Sequence, residues 1–324
     1  MIDLRFAARI AATLAACAAV GSAAAAYPEK AIRVFLPFPP GGTVDVIARM
    51  VCAEAAERLG KPIVIEHRPG AGGILATEAA AKAPPDGYSL LITTPSHTIN
   101  PALRPVLPFN TEADFVPLSL IASVPELLVA HPSAPFDSMD GLVKYAKANS
   151  GRLSYSSAGT GTLPHVTMEL LLRRAGVRAL HVPYKGAAPA LTDLIAGVVQ
   201  LKFDTYTTSA ALLADGRLKV LATAGTTRLP RLPNVPTIAE SGFPGYAGYL
   251  WIGALAPRGT PLDAVAALAG AFAASVRAPK IAERLQSDGV EVVGSDPAHF
   301  GRLIAEELKL WSRIARDANI TATD

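Results

Sequence analysis

The sequence has 324 residues, half of them hydrophobic, with 30 Lys+Arg against 27 Asp+Glu and a net charge of +3. That near-balance gives no footprint for nucleic acid, and the apolar content supports well-filled cores. With only Cys17 and Cys52 present, a disulfide framework is excluded.

Arg5 and Arg9 precede an apolar run from Ile10 to Val20, and Ala24-Ala25-Ala26 follows just before Tyr27. A positive head, a short apolar core and small residues at the end read as a secretory signal peptide, residues 1–26, cleaved after Ala26. Leu14-Ala15-Ala16-Cys17 also fits the pattern before a lipidated cysteine, but the apolar stretch runs on past Cys17, which favours the later cut. Cleavage removes Asp3, Arg5 and Arg9, so the 30 basic and 27 acidic residues become 28 and 26, and Cys52 is left alone. After Tyr27 no stretch approaches the roughly 18 unbroken apolar residues of a membrane helix, so the mature chain is expected to be soluble.

The roughly 300 residues that remain exceed what one core usually serves, and two lobes are expected. Short apolar runs alternate with Ala-rich helical stretches, which is α/β texture. Strands are predicted at Ile32 to Leu36, Ile63 to Glu66 and Tyr88 to Thr93, with helices at Val44 to Leu59 and Gly73 to Ala83. The run Pro125 to His131 leaves the first sheet for a second. Strands at Leu153 to Ser157, Leu180 to Val182, Gln200 to Asp204 and Leu218 to Ala222 then alternate with helices at His165 to Ala175, Ala188 to Ala196 and Thr208 to Gly216. Tyr249 to Ala256 carries the chain back, and helices Leu262 to Val276 and Pro297 to Asp317 complete the first lobe. The expected architecture is therefore two α/β lobes, 27–127 with 251–324 and 128–250, joined by a two-strand hinge with a cleft between them.

Two glycine-rich turns sit between a strand and a helix. Pro37-Phe38-Pro39-Pro40-Gly41-Gly42-Thr43 opens the helix carrying Asp45, and Ser157-Ala158-Gly159-Thr160-Gly161-Thr162 opens the helix carrying His165. Glycine lets backbone N–H groups approach a ligand, and the first turn of a helix attracts anions. One loop alone is as readily an ordinary turn; two, one in each lobe and both at the carboxyl ends of strands, can face each other across a cleft. Tyr184-Lys185-Gly186 and Asp204 lie at two more strand ends, where packing, solvation or helix capping would equally explain them.

Ser157, His165 and Asp204 can be written as a triad, but no G-x-S-x-G elbow presents the serine. Gly159-Thr160-Gly161 is followed by Pro164 where a dinucleotide fingerprint needs its third glycine. No Cys/His cluster has metal-ligand spacing. No catalytic residue, metal or cofactor is therefore expected.

PFPPGG with Asp45, RPGAGG at 68–73, PDGYSLL at 85–91, SSAGTGT with His165, HVPYKG at 181–186, FD at 203–204, and the later LPNVPTIAESG and APRGTP together resemble the Bug-type receptors, the solute-binding components of tripartite tricarboxylate transporters. The resemblance covers essentially the whole mature chain. It implies a monomeric two-lobed periplasmic binding protein of type II that closes on a small carboxylate and delivers it to membrane subunits. It also implies that the two loops hold the carboxylate, through a contact set of Phe38, Gly41, Gly42, Thr43, Asp45, Ser157, Gly159, Thr160, Gly161, Thr162, His165, Tyr184, Lys185, Gly186 and Asp204. Many relatives have Asn where this chain has His67, a change expected to touch only the packing behind the site. A ligand-sensing receptor without transport remains the other reading.

Overall fold

The computed structural model describes residues 27–322; the expected signal segment, Cys17 included, lies outside the described residues. In the first lobe β1 (Ile32–Leu36), β2 (Ile63–His67) and β3 (Ser89–Thr93) alternate with α1 (Thr43–Leu59), α2 (Ile74–Ala81) and α3 (Ser96–Leu103). The chain continues through β4 (Phe115–Pro125) and, one residue later, β5 (Leu127–Ala130), the first strand of a second sheet. The second lobe follows as α4 (Met139–Ala148), β6 (Ser154–Ser157), α5 (Leu163–Ala175), β7 (Leu180–Pro183), α6 (Ala187–Ile195), β8 (Leu201–Asp204), α7 (Tyr206–Ala214) and β9 (Lys219–Thr223). The return is made by β10 (Tyr249–Pro257), after which α8 (Leu262–Val276), α9 (Pro279–Ser287), β11 (Glu291–Val292) and α10 (Pro297–Asp317) close the first lobe.

The strand orders are β11-β4-β10-β3-β1-β2 and β7-β6-β8-β5-β9. In each sheet the βαβ strands are parallel, while the strands that cross between lobes join antiparallel: β10 lies between β3 and β4, and β5 between β8 and β9. Period-2 alternation sends successive apolar residues of the central strands to opposite faces of the sheet. Val34, Leu36, Leu90 and Ile92 pack with Ile47 and Val51 of α1 and Phe272 of α8, whereas Phe35, Leu91 and Leu255 point to the other face and meet Phe300 and Ile304 of α10. Leu128 and Leu127 divide the second lobe's two cores in the same way. Sheets covered on both faces need such runs.

β4 and β10 pair from Tyr249↔Pro125 to Pro257↔Phe115, so the two crossings run side by side. They are cross-braced where they leave the sheet: Glu126 N–H donates to Gly248 O at 3.0 Å, Gly248 N–H to Ala224 O at 2.9 Å, and Ala224 N–H to Glu126 O at 2.7 Å. A third connection is apolar. Leu163 and Val166 of α5 pack against Ile99 and Leu103 of α3 and Trp311 and Ala315 of α10.

Five elements were not legible beforehand: α3, β4, α4, α9 and β11. Ser-His-Thr-Ile-Asn-Pro-Ala-Leu in α3 has the polarity and the Pro101 of a loop, yet Ser96, His97, Thr98 and Asn100 are all buried. β4 carries Pro117 and Pro125, which argue against a strand when read locally. Here β10 supplies the pairing that overrides them. Among the described residues no single helix is long and apolar enough to cross a membrane.

Candidate ligand-binding cleft

The first glycine loop is shaped by the helix it opens. Gly41 has φ +94, outside the range comfortable for other residues, and its N–H donates to Asp45 Oδ2 at 3.0 Å. Asp45 Oδ1 in turn lies 2.9 Å from Arg49 Nε and 2.7 Å from His67 Nε2. Burial pushes the Asp45 carboxyl up, but the bonds from Arg49, Gly41 and His67 outweigh it and hold the group below its usual range. Asp45 is thus an ionised strut of the loop, and His67 is one of its three partners rather than passive packing. Gly42 and Thr43 N–H groups make no hydrogen bond among the described residues, and both residues line the cavity at the start of the 17-residue α1.

In the second loop Gly161 N–H donates to His165 Nδ1 at 3.3 Å, and Thr162 N–H and Oγ1 both donate to Gly159 O, at 3.1 and 2.6 Å. Ser157 Oγ lies 2.7 Å from His181 Nε2, and His181 stacks between Tyr155 and His165 with centroids at 4.8 and 4.3 Å. The triad arrangement is absent, because Ser157 pairs with His181 rather than His165, and Asp204 is engaged elsewhere.

Each loop meets a segment of the opposite lobe at short range. A Cβ on Gly186 would lie 2.3 Å from Pro39 Cδ, and one on Gly72 would lie 2.2 Å from Thr160 O, so bare backbone is required at both points. Thr43 Oγ1 lies 2.7 Å from Thr205 Oγ1 across the gap. Between the lobes is a cavity of about 50 Å³, space for a few water-sized groups.

Of the expected contact set, Phe38, Gly42, Thr43, Asp45, Thr162 and Asp204 line this cavity. Gly41, Ser157, Gly159, Thr160, Gly161, His165, Tyr184, Lys185 and Gly186 do not; most of them build the loops, and Gly41 and Gly161 have their N–H groups already taken. Tyr184 donates to Asp193, and Lys185 is exposed. Asp204, expected to meet a ligand hydroxyl or ammonium, already has three partners: Lys202 Nζ is 2.9 Å from Oδ1, Thr208 Oγ1 donates to Oδ1 at 2.9 Å and Ser209 Oγ to Oδ2 at 3.0 Å.

Sequence reasoning missed Thr94 and Ser96 after β3, Thr205 after β8, and two buried charged residues, Glu126 and Lys202, all of which line the cavity. A signal existed for the last two. Each is a charged residue inside an otherwise apolar strand run, V-P-E-L-L-V and L-K-F-D, and such residues are rarely buried without a reason.

Two α/β lobes, two paired crossing strands and a cavity between the lobes define a periplasmic-binding-protein fold. Solved structures share it at high overlap. The adipate-bound protein Rpa4515 of R. palustris is 35% identical with a TM-score of 0.87, covering 91% of this chain and 99% of its own. MatC of Rhodopseudomonas palustris with bound malate is 34% identical with a TM-score of 0.86, covering 89% and 99%. Protein BugT of Bordetella pertussis is 33% identical over 293 residues, 90% of each chain. The model of the tripartite tricarboxylate transporter family receptors (TctC) matches residues 47–320. The chain belongs to that receptor family.

Proposed function

We propose that this protein is an exported periplasmic receptor that binds a small carboxylate between its lobes and delivers it to the membrane subunits of a tripartite tricarboxylate-type transporter. The observation that carries the reading is the pair of N–H groups of Gly42 and Thr43, which line the cavity at the start of a long helix and make no hydrogen bond among the described residues. Neutral donors at a helix start favour an anion. Among the described residues no arginine lines the cavity, so a carboxylate would be held by these amides with the paired hydroxyls of Thr94 and Ser96. The adipate and malate in the related structures supply the ligand class.

The lobes are taken as 27–127 with 251–324 and 128–250, rotating about the braced strands at Glu126 and Gly248 in a protein that works as a monomer. Ligand touching both lobes stabilises only the closed form. A thermal-shift screen over mono-, di- and tricarboxylates is expected to raise the melting point with at least one of them, and scattering should show a smaller radius of gyration at saturation. A screen in which only uncharged or cationic solutes stabilise the protein would overturn the carboxylate reading.

A further inference from the structure

At the hinge end of the cavity stands a carboxyl group that the proposed anion contacts leave unused. Glu126 is the single residue between β4 and β5; it is 2% exposed and lines the cavity. Its Oε2 lies 2.8 Å from Thr167 Oγ1, while Oε1 makes no hydrogen bond among the described residues.

Proton counting fixes what Oε1 can do. Thr167 Oγ1 also lies 2.7 Å from Leu163 O, and a hydroxyl has one hydrogen. Threonine inside a helix commonly gives that hydrogen to the carbonyl four residues back. Glu126 must then be the donor to Thr167, with its proton on Oε2, which leaves Oε1 as a bare carbonyl oxygen. Lys202 Nζ, bound to Asp204 and to Phe203 O at 3.0 Å, favours the ionised acid without outweighing burial. Burial, opposed by Thr167 and Lys202 and assisted by Asp204, pushes the Glu126 carboxyl up to about 8. The other charged or titratable group facing it is the Tyr246 phenol, which donates to Thr167 O at 2.6 Å.

We propose that Glu126 selects hydroxylated carboxylates, its Oε1 accepting a hydrogen bond from a hydroxyl on the bound acid. The inference rests on the carboxylate reading above. It gives Glu126 a role like the one expected of Asp204, whose carboxylate is already engaged by Lys202, Thr208 and Ser209. A neutral Glu126 lets an anionic ligand sit nearby, whereas its ionisation would add repulsion.

Calorimetry on three matched pairs tests this: malate with succinate, lactate with propionate, and mandelate with phenylacetate. At pH 7 the pair that fits is expected to show the hydroxy acid bound roughly three- to tenfold more tightly. Glu126→Gln, whose amide nitrogen can donate to Thr167 and whose oxygen takes the place of Oε1, should keep that preference. Glu126→Leu should erase it while leaving the unsubstituted acid within about twofold. Raising the pH from 7 through 9 should weaken both acids in wild type and neither in Glu126→Gln. Equal binding of both members of every bound pair in wild type overturns the inference and spares the carboxylate reading, as does a preference that survives in a folded Glu126→Leu. If none of the six acids binds, and the wider screen finds no carboxylate, both readings fall.

Discussion

Thr43 Oγ1 and Thr205 Oγ1 meet at 2.7 Å, joining the first turn of α1 in one lobe to the residue that caps α7 in the other. Both hydroxyls are buried, and the bond exists only where the lobes touch. On the hinge motion proposed above it acts as a latch for the closed form. Thr43→Val keeps the shape and the backbone N–H but removes the bond, at a cost of about 1 kcal/mol. Calorimetry should show roughly fivefold weaker ligand binding, with the melting point of the ligand-free protein nearly unchanged.

Gly42 has φ −88, an ordinary value, and a Cβ there would sit 3.4 Å from Ala187 Cβ, an ordinary contact. Gly42→Ala should therefore fold and bind with modest loss. Gly42→Val adds two methyl groups beside a cavity of about 50 Å³ and should reduce affinity by at least about tenfold without lowering the melting point. Wild-type affinity in the valine variant would remove this loop from the site.

Asp204→Ala should act on stability before it acts on binding. Lys202 is 1% exposed, and without its partner its ammonium is left buried and uncompensated. Breaking such a pair costs about 3 to 5 kcal/mol, whereas replacing both members by apolar residues of similar volume costs far less. Urea unfolding should show Asp204→Ala strongly destabilised and Lys202→Met with Asp204→Leu close to wild type.

His97 is buried between Phe109 and Phe115 with neither ring nitrogen hydrogen-bonded among the described residues, and burial lowers it from 6.5 to about 4. The unfolded chain takes up this proton first as pH falls. The contribution is complete above about 6.5 and is lost progressively down to about 4, amounting to about 3 kcal/mol. Urea midpoints measured between pH 7 and 4 should fall accordingly, and His97→Met should flatten that decline.

The alternation of apolar strands with helices bounded by turn residues, and the two glycine loops after β1 and β6, can be read directly from residue order, because strand and helix periods are local properties. Local patterns also misled. α3 and β4 were invisible because buried polar groups and prolines look like loop until the partners that satisfy them, Glu307 for Thr98 and β10 for β4, are in place.

Sequence by itself determined the class of this protein: the order of strands, helices and glycine turns requires two α/β lobes with loops at the carboxyl ends of strands, since each element's period and each turn's φ are set by neighbouring residues. Which side chains face the cavity was decided only by tertiary structure. Gly41 and Gly161 spend their N–H groups inside their own loops, Asp204 is engaged by Lys202, Thr208 and Ser209, and Glu126 keeps one oxygen without a hydrogen bond among the described residues. A hydrogen-bond partner distant in the chain removes a donor or acceptor from a site, and that competition exists only after the strands that carry the partners have been brought together.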